Sequence, residues 1–485
     1  MHGLRYFMKV KISNNKDGFI LPLVLIFGTI SMIILGGVVD WAMINLRAAE
    51  QTKNREIAFE IAESGNEYYR WHLAHASTDY QDGTIHAGPY VHQFYDKDGN
   101  VLGSFSLAIT PPLVGSTVVT IKSSGKSLGN YTGSRAIQAQ LAKPSMAKYA
   151  VVANDNMRFG AGTVVQGPIQ SNKGIQFDGV AYNLISSAVS TFNDTDSDIN
   201  HTEWGVFTHS GDDDPVPPTV VPNRPDVFKV GRQFPVPAVD FTGLAADLSQ
   251  MKTDAQAHGF YRTGSGRLGY DVVLKTNDTF DLYTVYSVKA TPSGCSNSAT
   301  GWGTWSIDTK SNSPSNNPIP ANGLIFLEDN VYVEGQINTA RVTIAAATFP
   351  SDPSTWKSII VNNNLLYTNF DGSDVISLVA QNNINVGLYS QNVLTIDAAL
   401  IAENGRVGRY YYNHANCDPD DTKQTLNLLG MIASNLRYGF AYTGNPETGY
   451  QTRNITYDQH LLLSPPPSFP QTSDQYTTMS WQEIQ

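Results

Sequence analysis

Three aspartates at alternate positions, Asp194, Asp196 and Asp198, followed by Glu203, place carboxylates at a spacing that resembles a cation loop. Calcium takes oxygen ligands from such loops, and alternation aims successive carboxylates the same way. Ile199 stands where the tight turn of an EF-hand needs glycine, so a solvated acidic loop competes with calcium, the one cofactor the sequence offers. Gly211 to Pro215, with three aspartates, is a weaker second choice. Asp371, Asp374, Asp397 and Glu403 would suit acid–base work on a polysaccharide if a repeating scaffold set them on one face. Ordinary turn and surface carboxylates are the plainer reading. The ten histidines are scattered, and the glycine-rich RTGSGRLG lacks the strand–turn–helix setting of a phosphate loop. Cys295 and Cys417 are the only cysteines and can form one disulfide in an exported protein. Such a bridge would gather Trp302, Trp305, Tyr410, Tyr411 and Tyr412, which either fill a core or stack on sugar rings and partner proteins. No catalytic set emerges, and the expectation is that the protein is not an enzyme.

The elements that would hold these residues follow from composition. A chain of 485 residues exceeds one ordinary core, so two or more domains are expected. Forty glycines, 25 prolines and 24 tyrosines against 15% charged residues point to turn-rich β structure. The net charge of -11 argues against nucleic acid, which needs clustered cations.

Phe19 to Val39 carries no charge, and its ~31 Å at ~1.5 Å per residue suffices to cross a bilayer. Arg5, Lys9, Lys11 and Lys16 precede it and Asp40 follows, which predicts a cytoplasmic N-terminus and an extracytoplasmic remainder. A secretory signal peptide would have a shorter apolar core and a small-x-small cleavage site. No proline interrupts Pro22 to Pro89, and Ile57, Ala58, Ile61, Ala62 and Gly65 follow helical spacing, so one helix is predicted from about 20 to about 75. Its small residues are the kind that let helices approach closely.

A short basic leader ending in Gly18, an aromatic Phe19 opening the apolar helix, and the distal NREIAFEIAESG resemble the N-terminal segment of type IV prepilins, particularly minor pilins and pseudopilins. The resemblance covers about residues 8 to 75. It implies cleavage after Gly18 by a prepilin peptidase, methylation of Phe19, insertion in membrane lipid, and packing against other pilin-like subunits through the face at Ile57, Ala58, Ile61, Ala62 and Gly65. Leu23 stands at the fifth position after the cut, where the major-pilin pattern has glutamate, which makes a repetitive shaft subunit the less fitting role.

Beyond the helix, residues 88–142 read as a small antiparallel sheet, with Asp98, Gly99 and Asn100 turning between the first two strands. Residues 149–464 alternate short apolar runs with Asn and Gly turns, the texture of a parallel β-helix or solenoid; a β-sandwich is the alternative. Within them, 193–259 reads as an inserted proline-rich loop followed by a helix with Leu244, Leu248 and Met251 on one face. Residues 465–485 read as an extended tail packed through Phe469, Tyr476 and Trp481. The fold class is therefore mainly β behind one long transmembrane and amphipathic helix. The expected function is that of a minor pilin-like surface protein that joins a type IV pilus or related filament and displays a β domain for adhesion or assembly, with a surface glycan or protein as its further partner. The alternative is a membrane-anchored polysaccharide lyase or hydrolase on a β-helix.

Overall fold

The computed structural model describes residues 20–112, 116–129, 133–194, 201–241, 244–442, 447–463 and 465–484. Helix α1 runs unbroken over Ile20–His75, ~84 Å at 1.5 Å per residue. Pro22 lies in its first turn, where no intrahelical donor is lost. Every residue from Ile20 to Lys53 is exposed. Farther along, Ala58, Ile61, Ala62, Gly65, Tyr69 and Leu73 are buried at the i, i+3/i+4 spacing of one face. That face rests on the chain's own sheet. A Cβ on Gly65 would overlap Ser123 Oγ, and one on Gly125 would overlap the carbonyl oxygen of Ala58. The expectation that Ala58, Ile61, Ala62 and Gly65, with half-buried Ile57, pack between subunits is thus corrected: these small residues admit a sheet, and no area is left there for a second helix.

The sheet consists of β1 (Tyr90–Tyr95), β2 (Val101–Thr110), β3 (Val119–Ser127), β4 (Ser134–Ala142) and the C-terminal strand Thr477–Ile484, antiparallel in that order. Asp96 Oδ1 accepts from the amides of Asp98 and Asn100 and so fixes the β1–β2 turn. The tail does not simply lie along the large β region. Phe469 is buried against that region, but Tyr476 enters the core beneath α1, and Thr477 pairs with Ala142. Unpaired donors and acceptors along β4 give the tail a partner of its own length. The large β region is consequently inserted between β4 and the last strand, and the two connections run side by side through a Ser145–Gln471 bridge.

That region is a large, mainly parallel sheet whose strands form three ladders around one apolar interior. In the first ladder the paired residues Ile325, Ile344, Leu378, Leu400, Ile432, Val151, Ile169 and Ile185 stack in one inward column. In the third, Leu365, Ile396, Leu428, Ile455 and Val165 do the same. The alternate, outward residues of the first ladder, among them Phe326, Val379, Ile401 and Met431, are also buried, in a second cluster covered by Leu248, Met251 and Ala255 of helix α2 (Leu244–His258) and by Phe469. The side chain of Leu244 lies outside the described residues.

The ladder order is not the chain order. Val151 pairs with Ile432, so an early strand lies beside a late one, and the ladder then proceeds in both directions from that junction. Residues 193–259, expected as an inserted loop, supply part of the stack and a strap along it: Val206 pairs with Ile175, and Arg232 with Ile185. Strands of two residues leave no periodic trace, which is why the prolines around them dominate the sequence pattern. The strap then passes Ser187, Gln170 and Asn172, whose groups bond Val236, Pro237 and Val239, before α2 reaches Leu324 and Phe326 at the opposite end.

Candidate functional sites

The first candidate is the free half of α1. Its apolar window has a mean hydropathy of 2.4 and no buried residue, long and apolar enough to cross a membrane. Leu25, Leu35, Trp41 and Ile44 are each more than 60% exposed, an arrangement costly in water at ~25 cal/mol per Å² of apolar surface. Gly18 and Phe19 lie outside the described residues.

The acidic candidates separate. Asp194 ends the strand Thr191–Asp194, opposite His201 in an antiparallel hairpin; Asp196 and Asp198 lie outside the described residues. Glu203 points into a buried site with His209 Nε2 at 3.8 Å. In the GDDDP run, Asp214 is buried, pairs with Arg232 and accepts from the Thr208 amide, a structural role. Asp371 is an exposed turn residue bonded to Ser373. Asp374 accepts from the amides of Ala340, Thr368 and Asn369, and Asp397 from that of Tyr367, so these two flank one corner. Burial pushes Asp397 up to about 6. Glu403 sits at another corner and is pushed up to about 7 by burial, with Oε2 lacking a partner. The four carboxylates therefore do not share one face.

Cys295 and Cys417 form a disulfide across 122 residues. Tyr410 and Tyr412 are buried beside it with Leu388, and Trp302 and Trp305 pack on them half-buried. Tyr412 Oη donates to the Gly303 carbonyl at 2.7 Å, and Trp302 Nε1 to that of Tyr411 at 3.1 Å. These aromatics serve a local core; Tyr411, 39% exposed, is the outward one.

Two clusters escape sequence reading because their members are distant in the chain or irregular in spacing. A cavity of about 360 Å³ holds buried Asp271, whose carboxylate lies 2.5 Å from Lys310 Nζ, with Glu334 4.0 Å from the same nitrogen. Burial pushes Asp271 up to about 6 against the pull of Lys310. The one sequence signal was an aspartate inside the apolar strand Gly269–Leu274. Separately, His414, Asp418 and Asp421 offer ligand atoms within 4.8 Å of one another beside the disulfide, with His414 Nδ1 2.9 Å from Asp421 Oδ2.

No family model matches the chain, and no curated protein matches it. Among solved structures, the chain aligns with the competence-associated pilin ComZ from Thermus thermophilus at a TM-score of 0.32 and 12% identity, over 89% of this chain and 97% of that one. A similarity of that size carries no argument about fold or role.

Proposed function

We propose that the protein is a membrane-inserted, minor pilin-like surface protein. What supports the reading is the division of α1, one unbroken helix whose first half is apolar and bare while its second half is packed on an antiparallel sheet. A bare apolar half needs lipid or like helices around it. On this reading a prepilin peptidase cuts after Gly18, Phe19 becomes the methylated N-terminus, and the leader stays cytoplasmic. With the face at residues 58–73 taken by the sheet, other pilin-like subunits pack on the uncovered stretch below Glu56, where Ala48 and Ala49 are exposed. The three ladders act as a parallel β-helix that the filament displays, a non-catalytic surface for a glycan or protein. Mass spectrometry of the mature N-terminus from membrane and sheared-surface fractions tests this. A chain starting at methylated Phe19 is expected; an intact leader in both fractions would remove the filament role.

The second reading, an anchored polysaccharide lyase or hydrolase, is favoured by the Asp271, Lys310 and Glu334 cavity, where an acid with a raised proton affinity faces a cation and a second carboxylate. Depolymerisation of acidic and neutral glycans by wild type and Asp271→Asn separates the readings. Activity lost in the variant establishes the enzyme; no activity in wild type leaves the display protein.

A further inference from the structure

The first and third ladders are continuous where early coils meet late ones, through Ile432 to Val151 and Ile455 to Val165. The second ladder is not. It runs from Val331 through Ile359 and Ile384 to the strand Val407–Arg409, beyond which there is only an isolated bridge, Gly408 to Gly439, whereas Met157–Phe159 begins a separate three-stranded sheet with Ile175–Phe177 and Val206–Phe207. Among the described residues no strand pair joins the two. The seam opens into a cavity of about 580 Å³, within the range of small-ligand pockets.

Four arginines line it, Arg158, Arg406, Arg437 and Arg453, against a single acid, Asp155. In a chain of net charge -11 this local excess of cations is against the general trend. Asp155 is already engaged by Lys173 Nζ at 2.7 Å. Arg453 is consumed by the fold: it donates to Thr163 Oγ1 and to the carbonyls of Ala161, Tyr450 and Gln451, with Glu447 at 3.3 Å. Arg406 is held but not satisfied. Its Nη1 donates to Tyr442 Oη at 3.1 Å and its guanidinium lies 4.5 Å over the Tyr410 ring, while Nη2 is buried without a partner. Arg158 Nε is likewise a buried donor without a partner. A buried unpaired donor is costly, more so on a cation, and two of them on residues that line one cavity are unexplained by packing. A guanidinium presents donors in a planar fork that matches an oxyanion.

We propose that the seam cavity is a binding site for an oxyanion, taken between Arg158 and Arg406. The anion is carried either on a carboxylated sugar or as inorganic phosphate, the arginine chemistry being common to both. This assignment rests on the seam and stands apart from the membrane reading.

Calorimetric titration of the full chain in detergent micelles with D-glucuronate and with inorganic phosphate, at constant ionic strength and with D-glucose as the uncharged control, tests it. Saturable binding of at least one oxyanion and none of glucose is expected, weakened roughly tenfold or more in Arg406→Gln and in Arg158→Gln. Glucuronate alone would assign the carboxylated sugar; phosphate alone would assign the inorganic ion. No saturable binding, or equal binding in variants that keep the wild-type melting temperature, would overturn the site. Should neither variant fold, phenylglyoxal labelling of wild type decides: oxyanion must protect Arg158 and Arg406, and unchanged labelling rejects the proposal.

Discussion

The two β regions are covered in opposite ways. In the antiparallel sheet, β3 alternates buried and more open residues from Val119 to Ser127, one face on α1 and the other toward water. In the first ladder, every residue of Val375–Ala380 is buried, inward ones in the common interior and outward ones under α2 and the returning chain. Parallel sheets are mostly covered on both faces, as this first ladder is. The small sheet therefore depends on one helix, and the ladders on their interior, their strap and their disulfide.

That contrast can be broken at each of its supports. Leu400→Ala, in the inward column, is expected to lower stability by roughly 4 kcal/mol in denaturant unfolding. Cys295→Ala with Cys417→Ala, which frees a loop of 122 residues, should cost about 3 to 4 kcal/mol by the same measurement and leave α1 on its sheet. Gly125→Ala should cost roughly 3 kcal/mol, read as a lowered first transition in calorimetry, because the new methyl meets the backbone of α1. Met251→Ala strips part of the outer cover and should cost about 2 to 3 kcal/mol; no change would mean that α2 is dispensable and the two-sided cover is not needed. The smallest effect is a pH dependence. Glu403, raised by burial from 4.5 to about 7, binds its proton more tightly folded than unfolded. That contribution is full below about 4.5 and lost as pH rises through about 7. Glu403→Gln should match wild type near pH 4.5 and exceed it by roughly 2 kcal/mol above pH 8 in paired melts.

Legibility follows the range of the interactions. Helix α1 is local, written in the absence of proline and in a spacing from Ile57 to Leu73, and the β1–β2 turn is local too. The face carrying Ala58 and Gly65 was legible as a close-packing surface, but sequence does not say whether a helix or a sheet approaches it. The apolar runs at Asn322 to Ala347 and Asp374 to Tyr412 signal stacked strands, and Arg341–Ala346 does pair with Val375–Ala380, but the junction of Val151 with Ile432 joins strands far apart in the chain. Val151 against Ile432, Thr477 against Ala142, and Arg158 with Arg406 on one cavity share no local pattern. The strap was hidden for a further reason: prolines that exclude a central strand suit a segment laid across strand ends. Cys295 and Cys417 were legible as a pair, because there was no other pairing to make.

The junction of Val151 with Ile432 has a consequence for the order in which the molecule is made. A chain emerging N-terminus first completes α1 and β1–β4 early, but the strand Val151–Ala153 waits for one of its neighbours, nearly three hundred residues later. Until then one edge of that strand is open, and open edges recruit other chains. The antiparallel sheet waits longer still, for Thr477–Ile484. Truncated or stalled products thus retain two unfinished edges at once, open to other chains until synthesis ends.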